Sequence, residues 1–323
     1  MNEREITIRE AIQEALREEF MLESTCFIIG EDLHDDRRQE VLAELKEEFP
    51  DRFITTPLLE DMICDIGLGM SMGGLKPIVG FSYGTFITLA LDGIYRLGHW
   101  RYRMAENEGP HVIVRISYGG EARGSEFSAS LVGLIMHLPN IWIAVPSSPY
   151  FAKGLLKTAL RASRPTIFFE HKNLYEKKGD VPSDDYTVPF GTAIITRQGT
   201  DITLITWSFM NEVATEVAEI LEKEGIRVEA VSLQTLNPID MDTILKSALK
   251  TQRVVILEED QLRGGIGAEI GMRILENIPH CLIKRIASKN VPMPPGKYER
   301  LVIPTANQIV TVCRELKSMR SDL

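Results

Sequence analysis

The stretch EDMICDIGLGMSMGGLKPIVGF, residues 60–81, joins a glycine- and methionine-rich segment to a short apolar run. Residues 60–74 have the apolar pattern of a helix, and KPIVGF, residues 76–81, predicts a buried strand. The apolar run CFIIG, residues 26–30, precedes this stretch and ends in a glycine turn. A buried strand, a helix and a second buried strand in this order indicate a mainly parallel α/β sheet.

Working outward, the same alternation continues on both sides of this stretch. Thr7 and Glu10 form a capping box that predicts a helix ending near Glu19. Thr85–Met104 has the pattern of a long helix, and a glycine-rich loop occupies residues 119–128. The remaining strands of this first unit are predicted at residues 111–117, 141–146 and 166–170.

A second unit follows a polar segment. Residues 172–190 contain two prolines and few apolar side chains, so we interpret them as an interdomain linker. The sequence predicts two consecutive, mainly parallel α/β domains, residues 1–180 and 181–323. Strands of the second domain are predicted at residues 201–207, 227–233, 253–259 and 281–287, with helices between them and a capping box at Thr305 and Gln308 before the last helix.

The composition is that of a globular protein that disfavours nucleic acid. With 36 basic and 46 acidic residues among 323, the net charge is −10, which repels a phosphate backbone. The charged amino terminus lacks a signal-peptide core and no membrane contact is predicted, so we expect a cytoplasmic protein. Four widely spaced cysteines form no CxxC pair and the histidines form no ligand pair. We therefore predict buried, reduced thiols and no metal site.

Two features indicate a ligand site without deciding its nature. Glu60 lies at a predicted helix start, where the helix dipole favours a carboxylate whatever its other role. FSYGTF, residues 81–86, ends a predicted strand on the side where open α/β sheets bind ligands, although core packing would also explain these aromatic residues. The glycines of residues 67–74 and 263–269 lack the spacing of a dinucleotide-binding fingerprint.

Eight segments that follow one another in order carry a resemblance to a known family. They are TTPLLED (55–61), GLGMSMGGLKPIV (67–79), RISYGG (115–120), VPSSPYFAKGLLKTAL (145–160), TIFFEHKNLYE (166–176), LNPID (236–240), EEDQLRGGIGAEI (258–270) and VPMPPGKY (291–298). Together they resemble the beta subunit of the decarboxylating component of 2-oxo acid dehydrogenase complexes, of the pyruvate, branched-chain or acetoin type. This group belongs to the transketolase superfamily. The resemblance implies a pyrimidine-binding domain followed by a transketolase C-terminal domain.

The resemblance also implies a cofactor and partners. In this family thiamine diphosphate is held between an alpha and a beta subunit, usually in an α2β2 heterotetramer, and the alpha subunit supplies the diphosphate and Mg²⁺ site through a GDG…NN motif. That motif is absent here, so the chain resembles half of an active site and is expected to act only with an alpha-type partner. The family's docking of a complex core implies an acyltransferase core or an acyl carrier protein as a further partner.

Site residues follow from the resemblance, position by position. Glu60 falls on the catalytic glutamate that contacts the aminopyrimidine ring nitrogen, where a hydrogen bond favours the tautomer that removes the thiazolium proton. Phe86 falls on the aromatic residue against the aminopyrimidine face. Leu58 and Ser82 fall on neighbouring cofactor contacts. Arg115, Gly119 and Gly120 match the loop on the substrate side, where Glu126 and Phe127 are also expected to lie.

One loop departs from the family pattern. Residues 124–130 read GSEFSAS where the family usually reads GxQHSQS, so Phe127 replaces a histidine and Glu126 a glutamine. The family's histidine assists proton transfer and the acylation of lipoyl groups, and a phenylalanine can do neither. Residues 159–165 also lack the acidic residue often found at the family's structural potassium site.

Three interpretations follow from these matches and departures. The main one is a beta-type subunit of a thiamine diphosphate enzyme that cleaves a carbon–carbon bond next to a carbonyl, in a 2-oxo acid or a ketose phosphate. The acyl or two-carbon unit then passes to an acceptor that need not be lipoyl. The alternatives are an ordinary 2-oxo acid dehydrogenase subunit that acylates lipoyl, and a non-catalytic assembly subunit. Glu60 and Phe86 argue against the assembly subunit, and Phe127 argues against lipoyl.

Overall fold

A computed structural model describes residues 3–31, 33, 42–103, 109–120 and 123–319. The strands are β1 (Glu3–Thr7), β2 (Cys26–Glu31), β3 (Phe53–Thr56), β4 (Lys76–Phe81), β5 (Ile113–Tyr118), β6 (Trp142–Ala144), β7 (Thr166–His171), β8 (Lys178–Pro182), β9 (Ala193–Arg197), β10 (Ile202–Trp207), β11 (Val228–Leu233), β12 (Thr235–Asn237), β13 (Arg253–Gln261) and β14 (Leu282–Ser288). The α-helices are α1 (Ile8–Leu22), α2 (Ala43–Glu48), α3 (Ile63–Met72), α4 (Leu91–Arg103), α5 (Ser125–Ser128), α6 (Val132–Met136), α7 (Pro149–Arg161), α8 (Met210–Glu222), α9 (Met241–Thr251), α10 (Gly267–Asn277) and α11 (Ala306–Ser318). Short 3₁₀ helices lie at Pro50–Arg52, Gly84–Thr88, Lys172–Leu174 and Gly296–Leu301.

The first domain is built on a seven-stranded sheet. Its strand order is β12-β6-β7-β5-β4-β2-β3, and every pair except β12 with β6 is parallel. Both faces of this sheet are covered, which explains why its central strands are nearly continuous apolar runs. Helices α1 and α7 pack together over one face, with Ile28 and Phe168 beneath them. The other face carries Val79 and Ile116 and packs toward α3, α4 and the second domain.

The second domain has a five-stranded sheet in the order β14-β13-β10-β11-β9. Only the edge strand β9 runs antiparallel to its neighbour. Helices α8 and α11 cover one face, whereas residues of α9 and α10 join the core cluster that also contains Val79 and Ile116. The two domains are further joined because β12, from the second half of the chain, completes the first sheet. The predicted fold class, with two mainly parallel α/β domains, is confirmed.

Several local predictions are confirmed and others need correction. The capping box of Thr7 and Glu10 is present and opens α1. The predicted linker, residues 172–190, contains β8, which pairs antiparallel with β1 at the start of the chain. The predicted helix Thr85–Met104 is divided into a 3₁₀ turn and α4, and Met104 lies outside the described residues, as do residues 121–122 of the glycine-rich loop.

The cysteines bear out their prediction. Cys26, Cys64, Cys281 and Cys313 are all free and buried. Burial raises the pKa of Cys26 and of Cys281 to about 11 and that of Cys313 to about 12, which keeps these thiols protonated and unreactive at neutral pH. Within the described ranges no group of three or more histidine, cysteine or acidic side chains is placed to hold a metal ion. None of the helices in this part of the chain is long and apolar enough to cross a membrane.

Candidate active site

The candidate site lies at one edge of the seven-stranded sheet. Strands β4, β2 and β3 are neighbours and run parallel, so their carboxyl ends meet at the same edge. Leu58 and Glu60 follow β3, and Ser82 and Phe86 follow β4. The structure therefore brings the four predicted cofactor contacts to the edge where open α/β sheets bind ligands.

The segment that carries Leu58 and Glu60 is held by a buried carboxylate. Glu31, the last residue of β2, accepts the backbone N–H of Leu59 through Oε1 at 2.8 Å. Glu60 itself lies half-buried in a turn, and α3 begins three residues later at Ile63. The sequence placed Glu60 at the helix start, which is wrong by these three residues, because the chain first closes a turn between Leu59 and Met62.

Three aromatic rings form a cluster beside this edge. Tyr83 contacts Phe86 edge-on at 5.4 Å between ring centroids and contacts Phe127 in the same way at 4.6 Å. Phe86 and Phe127 are 6.5 Å apart. Such edge-to-face pairs add specific attraction to the apolar area that they bury. The residue that replaces the family's histidine is thus packed directly against the aromatic residue predicted to support the cofactor.

Two cations converge on Tyr83. The Lys172 ammonium lies 4.3 Å from the Tyr83 ring centroid, within the range of a cation–π contact. Arg123 donates from Nη1 to the Tyr83 hydroxyl at 3.1 Å. Tyr83 therefore contacts two apolar rings, Phe86 and Phe127, and two cationic side chains.

The loop that carries Phe127 is anchored to both domains. Thr85 donates its hydroxyl to the backbone carbonyl of Glu126, and Ser125 donates to the carbonyl of Met293 in the second domain at 3.1 Å. The Glu126 side chain is exposed, so its backbone makes the anchoring contact. Gly124 has a φ of +96°, which a residue with a side chain rarely adopts.

Arg115 is engaged within the fold. Its guanidinium donates to Glu170 twice, at 2.6 and 2.9 Å, and the Tyr175 hydroxyl donates to the same carboxylate at 2.9 Å. Burial opposes the charge of Arg115, but Glu170 outweighs this effect and raises the pKa of the guanidinium. A role for Arg115 toward a substrate remains a prediction.

Gly119 and Gly120 form a turn directly after β5. Their φ angles are +71° and +72°, so both lie in the left-handed region. A Cβ atom on Gly119 would come within 2.1 Å of the His171 ring, and one on Gly120 within 2.2 Å of the Asn173 side chain. Only glycine fits this turn, since both its backbone angles and its neighbours exclude a side chain.

Sequence reasoning missed four residues that shape this site. Glu31 had a visible signal, because a carboxylate that ends a buried strand lies at the ligand-binding edge of a parallel sheet. Tyr83 lies in the aromatic stretch 81–86 noted from the sequence, although the pattern did not single it out. His171 and Lys172 had no signal, since their contacts join segments far apart in the sequence.

Two protein-family models match the sequence, and both agree with the two α/β domains described above. Residues 4–178 match the transketolase pyrimidine-binding domain and residues 191–309 match the transketolase C-terminal domain. The chain therefore belongs to the transketolase superfamily, in the group of thiamine diphosphate-dependent 2-oxo acid dehydrogenase beta subunits.

Individual relatives specify this group. The chain is 37% identical to the 2-oxoisovalerate dehydrogenase subunit beta of Bacillus subtilis, over 95% of this chain and 97% of the relative. It is 32% identical to the pyruvate dehydrogenase E1 component subunit beta of the same organism, over 97% and 98%. It is 33% identical to the acetoin:2,6-dichlorophenolindophenol oxidoreductase subunit beta of Cupriavidus necator, over 97% of each.

Solved structures agree on the fold. A split-gene transketolase, described as an inactive beta4 tetramer, has a TM-score of 0.80 at 23% identity and covers 97% of this chain and 98% of its own. Transketolase from Leishmania mexicana has a TM-score of 0.73 at 18% identity, with 97% of this chain and 46% of that chain covered. At these identities the likeness concerns the fold alone.

Proposed function

We propose that this chain is the beta-type subunit of a thiamine diphosphate enzyme that cleaves the bond between the carbonyl carbon and the carboxylate of a 2-oxo acid. One observation carries the proposal: Glu31 ends β2, while Glu60 and Phe86 follow the carboxyl ends of its parallel neighbours β3 and β4. A chain that had kept only the fold would not need two carboxylates and an aromatic face at this edge. The relatives act on 2-oxoisovalerate, pyruvate and acetoin by their names.

The residues present fit the pyrimidine end of the cofactor and leave its diphosphate end to a partner. A half-buried carboxylate, an aromatic face and the exposed side chain of Leu58 suit a flat ring with hydrogen-bonding nitrogens. The described residues offer no acidic cluster for Mg²⁺. The GDG…NN motif that holds Mg²⁺ and the diphosphate in the family is absent from this sequence, so we assign both to an alpha-type subunit, with α2β2 as the proposed assembly.

In this arrangement each side chain has a separate task. Thiamine diphosphate, when bound, supplies a carbon nucleophile for the substrate carbonyl. Glu60 holds a proton at the pyrimidine ring nitrogen, and Glu31 fixes the backbone on which Glu60 is carried. Phe86 supports the ring from one face, and Phe127 and Tyr83 exclude water beside it.

The proposal for the acceptor of the acyl unit rests on Phe127. A phenyl ring packed between Tyr83 and Phe86 has no proton to give and no lone pair to accept one. We therefore propose that the acyl unit passes to an acceptor that does not require a proton from this position. A carrier-protein thiol or water satisfies this requirement, in either case with an external two-electron oxidant in place of the lipoyl disulfide, whereas lipoyl acylation in the family uses the histidine.

Exposed apolar side chains beside the site support a partner. Leu58, Met62 and Leu89 are 69%, 51% and 56% exposed. Large apolar residues grouped at one edge are typical of a surface that another protein covers. An alpha-type subunit on this edge would enclose the cofactor between the two chains. A cytoplasmic location stays a prediction.

The test is an assay with an artificial electron acceptor. The chain is co-expressed with an alpha-type subunit from the same genome and assayed with 2-oxoisovalerate and with pyruvate, using dichlorophenolindophenol. Each turnover would convert the 2-oxo acid and water into CO₂ and the shorter carboxylic acid, and the two electrons would reduce the dye. We expect dye reduction that requires both subunits, thiamine diphosphate and Mg²⁺. Absence of any such dependence, with both subunits folded and associated, would overturn the proposal.

A further inference from the structure

Four consecutive residues at the end of β7 each hold a different part of the candidate site. We name Glu170–Asn173 the EHKN segment. Glu170 binds Arg115, and Lys172 lies over the Tyr83 ring. His171 and Asn173 lie against the Gly119–Gly120 turn. The EHKN segment therefore contacts both the Gly119–Gly120 turn and the aromatic cluster. We do not expect the cofactor or the substrate to contact this segment itself.

His171 is the member that also reaches the second domain. Its Nδ1 accepts the backbone N–H of Asn173 at 3.2 Å, which places the ring proton on Nε2. Nε2 then donates to Glu259 of β13 at 2.9 Å. The ring is buried, stacks on Phe209 at 4.8 Å and meets Tyr118 edge-on. Both nitrogens of His171 are thus hydrogen-bonded and its ring is held between two aromatic neighbours, so the ring has one orientation.

The fixed ring determines where the turn lies. A Cβ on Gly119 would overlap the imidazole, so the backbone of the turn rests directly on the ring without a side chain between them. The loop toward Phe127 begins at this turn. Any change in the orientation of His171 is therefore passed to the substrate side of the site.

We infer that His171 is a positioning residue, which sets the Gly119–Gly120 turn through its imidazole and ties that turn to the second domain through Glu259. This inference rests on the proposed function for its catalytic consequence, but its structural part does not. Because of this link, the position of the Gly119–Gly120 turn depends on how the second domain is placed against the first. On the cofactor side, the contact of Glu31 with the Leu59 backbone does not involve His171.

The first experiment measures the turn itself. Amide hydrogen exchange of residues 113–128 is followed by mass spectrometry in the full-length wild type and in His171→Ala. We expect exchange in this peptide to rise about tenfold, because the buried contacts that hold the turn are lost. Exchange in the peptides of β2 and β3, which do not pair with β5, should not change. Exchange of residues 113–128 that equals the wild type would overturn the inference, whatever the activity of the enzyme.

Matched variants separate positioning from a general loss of stability. Lys177→Met removes another interdomain contact, to Glu212, together with a bond to the Ser147 carbonyl within the first domain, and should leave exchange at the turn unchanged. His171→Gln retains an N–H donor for Glu259 and should recover part of the protection. If His171→Ala fails to fold, Gly119→Ala tests the same contact from the other side, and wild-type exchange in that variant would contradict the inference.

The second experiment uses the enzyme with its alpha-type partner. With 2-oxoisovalerate and dichlorophenolindophenol, His171→Ala should lower kcat/KM for the 2-oxo acid roughly 10- to 100-fold, while the Kd for thiamine diphosphate stays within about twofold. Weaker cofactor binding with unchanged kcat/KM at saturating cofactor would contradict a role on the substrate side. An inactive wild-type complex would count against the proposed function, and the exchange experiment would still decide the role of His171.

Discussion

The two sides of the candidate site are held by different means. On the cofactor side, Glu31 and Glu60 lie at the edge of a single sheet and a backbone N–H links their segments. On the substrate side, Phe127 is held by aromatic rings, and its loop is anchored to Met293 in the second domain. By the resemblance drawn from the sequence, the cofactor side keeps the family's residue types and the substrate side departs from them at Glu126 and Phe127. The comparison suggests that cofactor activation and acceptor choice are separable in this protein.

The largest expected effect is on the cofactor side. Glu60→Gln should lower kcat roughly 10²- to 10⁴-fold, since the amide cannot hold the proton that the carboxylate shares. Steady-state kinetics with the artificial acceptor gives the value, and circular dichroism checks the fold. Asp61→Asn is the matched control, because Asp61 is an exposed neighbouring carboxylate. Near-normal turnover of Glu60→Gln would remove the basis of the proposed chemistry.

Arg115 separates a structural from a substrate role. Arg115→Met leaves Glu170 buried without its cation and should lower the free energy of unfolding by about 3–5 kcal/mol. Urea denaturation of the variant and of the wild type measures this difference. Full stability combined with a raised KM for the 2-oxo acid would instead support the substrate contact predicted from the sequence.

Glu31 tests how the Glu60 segment is held. Glu31→Ala leaves the Leu59 N–H without its acceptor, and a lost bond of this kind costs about 1–3 kcal/mol. We expect thiamine diphosphate to bind roughly tenfold more weakly to the complex, as measured by calorimetry. Glu31→Gln keeps an acceptor oxygen and should bind more tightly than Glu31→Ala. Equal affinity in all three proteins would show that this contact does not support the cofactor side.

Phe127 tests acceptor choice. Phe127→His should raise the rate of lipoyl acylation at least about tenfold if the missing proton donor is the reason for a different acceptor. Phe127→Leu is the control, because it opens the aromatic cluster without adding a ring nitrogen. Dye reduction by the two variants should be similar. A lipoyl rate in Phe127→His no higher than in Phe127→Leu would mean that the histidine position does not limit the acceptor.

The smallest effect is expected at Glu126. Its side chain is exposed and its backbone carbonyl receives the Thr85 hydroxyl, so Glu126→Gln should change kcat/KM less than about twofold. Thr85→Val removes the anchoring donor and should have the larger effect. If Glu126→Gln instead lowered kcat/KM more than Thr85→Val, the charge of the Glu126 side chain would act on the substrate.

The sequence predicts those parts of the molecule that depend on local pattern. The strands β2, β4, β5 and β7 follow from apolar runs, and α1 follows from the capping box of Thr7 and Glu10. The pairing of β1 with β8 was missed, because two short polar strands about 170 residues apart carry no local sign of each other. Their polar side chains reflect the exposed, two-stranded sheet that they form.

The candidate site shows the same limit. Glu60 and Phe86 were found through the resemblance, and the sheet topology then brought them to one edge. The contact of Lys172 with Tyr83 and the pair of His171 with Glu259 depend on tertiary packing, which a spacing pattern does not encode. Arg115 was also found through the resemblance. The motif match gave its position in the family but did not reveal that Glu170 is the partner of its side chain in this fold.

The central claim is that this chain supplies the pyrimidine half of a shared thiamine diphosphate site. Native mass spectrometry of the chain co-expressed with its alpha-type partner, in the presence of thiamine diphosphate and Mg²⁺, tests it most directly. We expect an α2β2 assembly that carries two cofactors and loses them in Glu60→Ala. A beta-only oligomer without cofactor, formed although the alpha-type partner is folded and present, would contradict it.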